Sequence, residues 1–92
     1  MTVPPSYKIE FSATARRGMN KLPVEAALAL LELISGPLAE NPRRLGKPLD
    51  EPYDGVLSAR RGEYRVLYAI QDNTMTVVVL AVSHRRDAYR PR

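Results

Sequence analysis

The sequence predicts an α+β domain: a small antiparallel sheet with two helices from the N-terminal half packed on one face, in the order β-α-α-β-β-β plus a short C-terminal segment. Three observations predict it. Apolar residues between positions 12 and 38 recur at helical spacing. After position 53 the period drops to two, as strands require. Between them, residues 41–52, NPRRLGKPLDEP, hold three prolines and a glycine and read as a Pro/Gly-rich loop. Ninety-two residues suffice for one domain, 1–92, with a modest core and no second one.

Each element follows from its own residues. YKIEF, residues 7–11, alternates with Tyr7, Ile9 and Phe11 on one side and Lys8 and Glu10 on the other. Ser12 is a suitable N-cap for a helix reaching about Asn20. Pro23 suits the first turn of the next helix, where its missing N–H costs nothing. Ala27, Leu31, Ile34 and Leu38 make that helix's apolar stripe, and Leu30 and Leu33 widen it. Gly36-Pro37 either interrupts the helix or ends it. Strands are predicted at 53–60, 63–70 and 74–82, with turns at Gly62 and Asp72-Asn73. The last strand is apolar on both faces, as expected where a strand is covered on both sides. With the helices on one side, the other side of the sheet is free to form a shallow concave surface.

Composition excludes several classes of function. Cysteine is absent, which removes disulfides and thiol chemistry and suits a cytoplasmic protein. The longest apolar run, near 77–82, is too short to cross a bilayer, and the N-terminus lacks a signal peptide's apolar core; no membrane partner is expected. No catalytic triad, glycine-rich phosphate loop, acidic dyad or zinc spacing is present, so neither a metal nor a cofactor is expected. The net charge is +4, and the excess lies in residues 60–92, with seven basic against three acidic side chains. Arginine outnumbers lysine eleven to three, and its planar fork matches phosphate. A polyanionic partner, an acidic protein surface, or mere solubility would each account for that bias.

Strand parity sorts the candidate site residues. Tyr64, Val66, Tyr68 and Ile70 share one face, and Arg65, Leu67 and Ala69 the other. A guanidinium in mid-strand must pair with a carboxylate such as Glu10 or Asp54, or reach into an open cleft. In the last strand Val77, Val79, Ala81, Ser83 and Arg85 are predicted to share a face, with His84 beside Leu80 and Val82. Two arginines on one face would converge on an anion. His84, the single histidine, is a rim residue or an acid–base group. Asp87 tethers Arg85 or Arg86, and Tyr89 anchors the tail or stacks on a base.

The order YKIEFSATARRGMNKLP, an amphipathic helix, NPRRLGKPLDEPYDGVLSARRGEYRVLYAI and VVVLAVSHRRDAYR resembles the RelE branch of the RelE/ParE toxin superfamily. The pieces GEYRVLYAI and HRRDAYR, on consecutive strands, are the specific part. The resemblance implies a microbial-ribonuclease-like fold and a toxin of a type II toxin–antitoxin pair. Such a toxin enters the ribosomal A site and cleaves mRNA, is held by a cognate antitoxin, and reaches operator DNA through the antitoxin complex. On the same resemblance, Arg65 holds the scissile phosphate, Arg85 stabilises charge or protonates the leaving group, and Tyr89 stacks on or orients the nucleotide. Arg60, Arg61, His84 and Arg86 are expected to assist substrate binding. The implied reaction is attack by a 2′-OH on the adjacent phosphorus, without a metal.

One departure from the family pattern is chemical. Two family lysines on the strand before GEYR align with Val56 and Ser58, which leaves the general base open, because a guanidinium is a poor base. Two other readings therefore stand beside the nuclease: a ParE-like inhibitor of DNA gyrase, and a catalytically weak relative that mainly binds its antitoxin.

Overall fold

The computed structural model of the chain describes residues 6–49 and 55–84. The elements are β1 (Lys8–Phe11), α1 (Ala13–Asn20), α2 (Val24–Leu33) running on through a π-helical turn (Ile34–Leu38), α3 (Pro42–Leu45), β2 (Lys47–Pro48), β3 (Val56–Arg61), β4 (Tyr64–Gln71), a 3₁₀ turn (Asp72–Thr74) and β5 (Thr76–His84). One sheet forms in the order β1-β5-β4-β3-β2. It is antiparallel apart from the β1–β5 pair, which runs parallel because the helices carry the chain back before the meander begins.

Ser12 does two jobs at the start of α1. Its Oγ accepts the Ala15 N–H at 3.0 Å, the expected cap, and donates to the Leu80 carbonyl at 2.8 Å. Closer contact follows at Gly18, where a Cβ would lie 2.6 Å from the Val82 carbonyl oxygen. Only a glycine lets α1 approach β5 so nearly.

α2 starts one position later than predicted, with Pro23 as its N-cap. Gly36-Pro37 interrupts the α-helix without ending it: the wider π turn accommodates Pro37, which has no N–H to give and would clash with a regular turn. The buried stripe is Leu30, Leu33, Ile34 and Leu38, whereas Leu31, placed at its centre by the sequence, is 41% exposed. These side chains meet Ala59, Val66, Tyr68, Val77, Val79 and Val82 to form the core.

Within the Pro/Gly-rich segment, α3 is a single helical turn, and β2 pairs with β3 as an edge strand. Tyr68 fixes this segment from below. Its buried hydroxyl donates to the Pro42 carbonyl at 2.6 Å, and burial raises the phenol's pKa. A second tie joins Arg43 to Asp72 in the β4–β5 turn, with Tyr7 Oη donating to the same carboxylate at 2.9 Å. The Arg43 guanidinium first, and then Tyr7, hold the Asp72 carboxyl below its usual pKa.

A bulge in β5 corrects the predicted parity. Leu67 lies opposite Ala81 and Tyr68 opposite Val79, so Leu80 is an extra residue. Val77 and Val79 before it and Val82 after it are all buried under the helices. Ala81 therefore does not share a face with Val79, and His84 follows Val82 but not Leu80. The Leu80 carbonyl is the one Ser12 satisfies.

Candidate functional site

The two faces of the sheet have different chemistry. Val66 and Tyr68 on β4 point into the core, so Arg65, Leu67 and Ala69 point to the helix-free side. Register then assigns the neighbours. Arg65 lies opposite Arg60 on β3 and Ser83 on β5, and Leu67 lies opposite Ser58 and Ala81. Ser58 in turn faces Lys47 of β2. The helix-free face thus has a half-buried floor that includes Leu67, Ala69, Val78 and Ala81. Cations rise from it at one end.

Those cations converge. A hollow of about 450 Å³ is lined by Lys47, Ser58, Arg60 and Arg65, with Pro48 and Leu49 along the edge strand. Arg65 is half-buried and its Nε is enclosed, whereas Lys47 and Arg60 are exposed. Strands spaced about 4.8 Å apart, with about 6.8 Å between alternate residues, put Arg60 directly beside Arg65 and Lys47 one row away. Like charges gathered this closely repel unless an anion or carboxylate lies among them.

Not every predicted site residue belongs to this hollow. Arg61 and His84 lie on the helix-bearing face, where they line a second hollow with Glu63, Tyr64 and Leu30. There the His84 ring meets Tyr64 edge-on, with centroids 5.3 Å apart, and His84 Nε2 lies 3.2 Å from Glu63 Oε1. The structure joins Arg60 to Arg65 and separates Arg61 and His84 from them. Arg85, Arg86 and Tyr89 lie outside the described residues. Lys47 was missed, because its segment read as loop. A proline two residues after a glycine is compatible with a short edge strand, and that was the available signal.

Among the described residues, no three His, Asp or Glu side chains are grouped as a metal site, and no helix is long and apolar enough to span a membrane.

Comparison with known proteins shows the family to which the chain belongs. The profile of the ParE toxin of type II toxin-antitoxin system, parDE, matches residues 9–89. Toxin RelG of Mycobacterium tuberculosis is 49% identical over 84 residues, covering 91% of this chain and 97% of that one. The chain belongs to the RelE/ParE toxin superfamily. Toxin RelE of the same organism is 45% identical over 84 residues, covering 91% and 87% of the two chains. The matching profile carries the ParE name and both relatives carry Rel names. Near-half identity over nine-tenths of the chain is the more specific finding, and it places the protein on the RelE-like branch.

The solved structures agree on the fold. A chain of the toxin–antitoxin complex RelBE2 from M. tuberculosis superposes with a TM-score of 0.86 at 45% identity, covering 95% of this chain and all of that one. The isolated Escherichia coli RelE toxin gives 0.73 at 20% identity over 95% and 89%, a likeness of fold alone.

Proposed function

We propose that this RelE-like toxin is a metal-independent endoribonuclease that cleaves mRNA in the ribosomal A site and so stops translation. The observation that carries the reading is Arg65, a half-buried guanidinium on the helix-free face, lining a hollow with Arg60. A guanidinium set in mid-strand on the wall of an open hollow is placed to meet a phosphate with its planar fork.

In the proposed reaction the substrate's 2′-oxygen loses its proton and attacks the adjacent phosphorus. The P–O5′ bond breaks and O5′ gains a proton, leaving a 2′,3′-cyclic phosphate and a 5′-OH. Arg65 holds the non-bridging oxygens and stabilises the charge that builds on them in the phosphorane. Fixing sugar and phosphate in line lowers the barrier further. Arg85 would protonate or stabilise the leaving oxygen, Tyr89 would orient the base, and Arg60 and Arg86 would hold flanking phosphates. The separation of His84 from Arg65 argues against the histidine as the proton acceptor, and the base stays unassigned.

The named toxin–antitoxin complex among the relatives supports a cognate antitoxin for this chain as well. An acidic antitoxin segment over the Arg60–Arg65 hollow would neutralise it, and the pair would contact operator DNA through the antitoxin. The ParE-named profile favours the second reading, inhibition of DNA gyrase. One paired assay separates the two. RNA ends mapped in translating ribosomes should show new 5′-OH termini, while gyrase supercoiling stays unchanged. Loss of supercoiling without new RNA ends would replace the nuclease reading with the gyrase one.

A further inference from the structure

We infer that Lys47, on the edge strand β2, is a substrate-phosphate ligand, which extends the cationic site across three strands to a second backbone phosphate. The inference rests on the ribonuclease reading but adds a residue that the reading does not need.

So short a strand is firmly held. β2 is two residues long, Lys47 and Pro48. Pro48 has no N–H for a ladder, which suits an edge. Before it, Gly46 is pressed against Tyr68, and a Cβ there would come 2.1 Å from the Tyr68 oxygen. After it, the Leu49 N–H donates to the Val56 carbonyl at 2.9 Å. The buried Tyr68 hydroxyl secures the preceding turn through Pro42. Core packing, a close-contact glycine and two hydrogen bonds thus fix the place where one exposed lysine leaves the backbone.

Lys47 pairs with Ser58, on the same face as Arg65 and one row from the Arg60–Arg65 pair. The β3 positions on that face are Val56, Ser58 and Arg60, so β3 alone offers one cation, at its far end. Lys47 supplies a cation beside Ser58 from the neighbouring strand, and the same hollow is lined by Lys47, Ser58, Arg60 and Arg65. With rows about 6.8 Å apart, the lysine and the arginine pair are spaced for successive phosphates of a single strand rather than for one. A compact ammonium suits the outer, solvent-facing phosphate, and the half-buried fork suits the inner one.

The salt dependence of RNA binding by the full chain tests this, with a short single strand methylated at every 2′-oxygen so that it cannot be cleaved. The proteins compared are the wild type, Lys47→Gln, Lys47→Arg, Arg65→Gln and, as a remote control, Lys21→Gln. Each phosphate contact on a single strand contributes about 0.7 to the slope of log K against log salt. Lys47→Gln should lower the slope by about that amount and weaken binding about tenfold at low salt. Lys47→Arg should keep the slope, and Lys21→Gln should match the wild type. A wild-type slope in Lys47→Gln with a reduced one in Arg65→Gln overturns the Lys47 contact and leaves the nuclease reading standing. Unchanged slopes in both overturn the two together. An equal loss in Lys21→Gln also overturns the inference, because binding would then be diffuse.

Discussion

The same sheet presents two unlike faces. Under the helices, Ala59, Val66, Tyr68, Val77, Val79 and Val82 are packed almost without exposure, and the hydroxyl of Tyr68 is spent on Pro42. On the other side Leu67, Ala69 and Ala81 are half-covered, and Arg60, Arg65 and Lys47 gather around a hollow. Strand alternation makes the contrast possible, and the bulge at Leu80 adjusts it by returning Val82 to the core. One face holds the fold while the other is left to carry charge, so damage to stability and damage to activity should separate by residue parity.

The largest expected effect is on the covered face. Leu30→Ala empties the fully buried contact between α2 and the sheet and should cost about 2–5 kcal/mol in chemical denaturation. A loss below about 1 kcal/mol would mean that the face is looser than described. Gly46→Ala comes next: the new Cβ would lie 2.1 Å from the Tyr68 hydroxyl oxygen and 3.0 Å from the Ser58 carbonyl oxygen. Overpacking of this kind costs about 1–3 kcal/mol, and an unchanged stability would show that the contact relaxes freely. Tyr68→Phe should cost about 1–2 kcal/mol, since the Pro42 carbonyl loses its buried donor while the ring remains. The smallest effect belongs to neither face. Asp72 sits in the β4–β5 turn with its pKa depressed by Arg43 and then Tyr7. A depressed carboxylate stabilises the fold fully above its ordinary pKa, and that contribution fades as pH falls through the lower folded value. Asp72→Asn should therefore be slightly less stable than wild type at neutral pH, with the gap closing in acid; a gap that is constant down to low pH would argue that the ion pair contributes nothing.

Much of the fold was legible because local signals and packing agreed. Ser12 capped the helix as its residue type suggests, the Gly62 turn formed where the sequence placed it, and the last two period-two strands formed one to two residues later than predicted. The exceptions have physical causes. Helical spacing could not tell which neighbouring leucine faces inward, because Leu30 and Leu31 fit stripes one position apart. A bulge leaves no trace in a run as uniformly apolar as TVVVLAV, so the parity of Ala81 and His84 was misassigned. Arg65 and Arg60 were legible from parity in a regular hairpin. Lys47 was not, because its strand exists through Tyr68 and Val56, which are distant in sequence.

The central claim is that the helix-free face handles RNA. Arg61 and Arg65 offer the direct comparison, being near neighbours at one end of the β3–β4 hairpin on opposite faces. The measurement is the rate of appearance of 5′-OH ends on mRNA in translating ribosomes, with folding of each variant verified by thermal denaturation. Arg65→Ala should slow cleavage by about 10²–10³-fold, and Arg61→Ala should stay within about threefold of wild type, as expected for an exposed side chain away from the site. Undiminished cleavage by Arg65→Ala, or a greater loss from Arg61→Ala, would contradict the account.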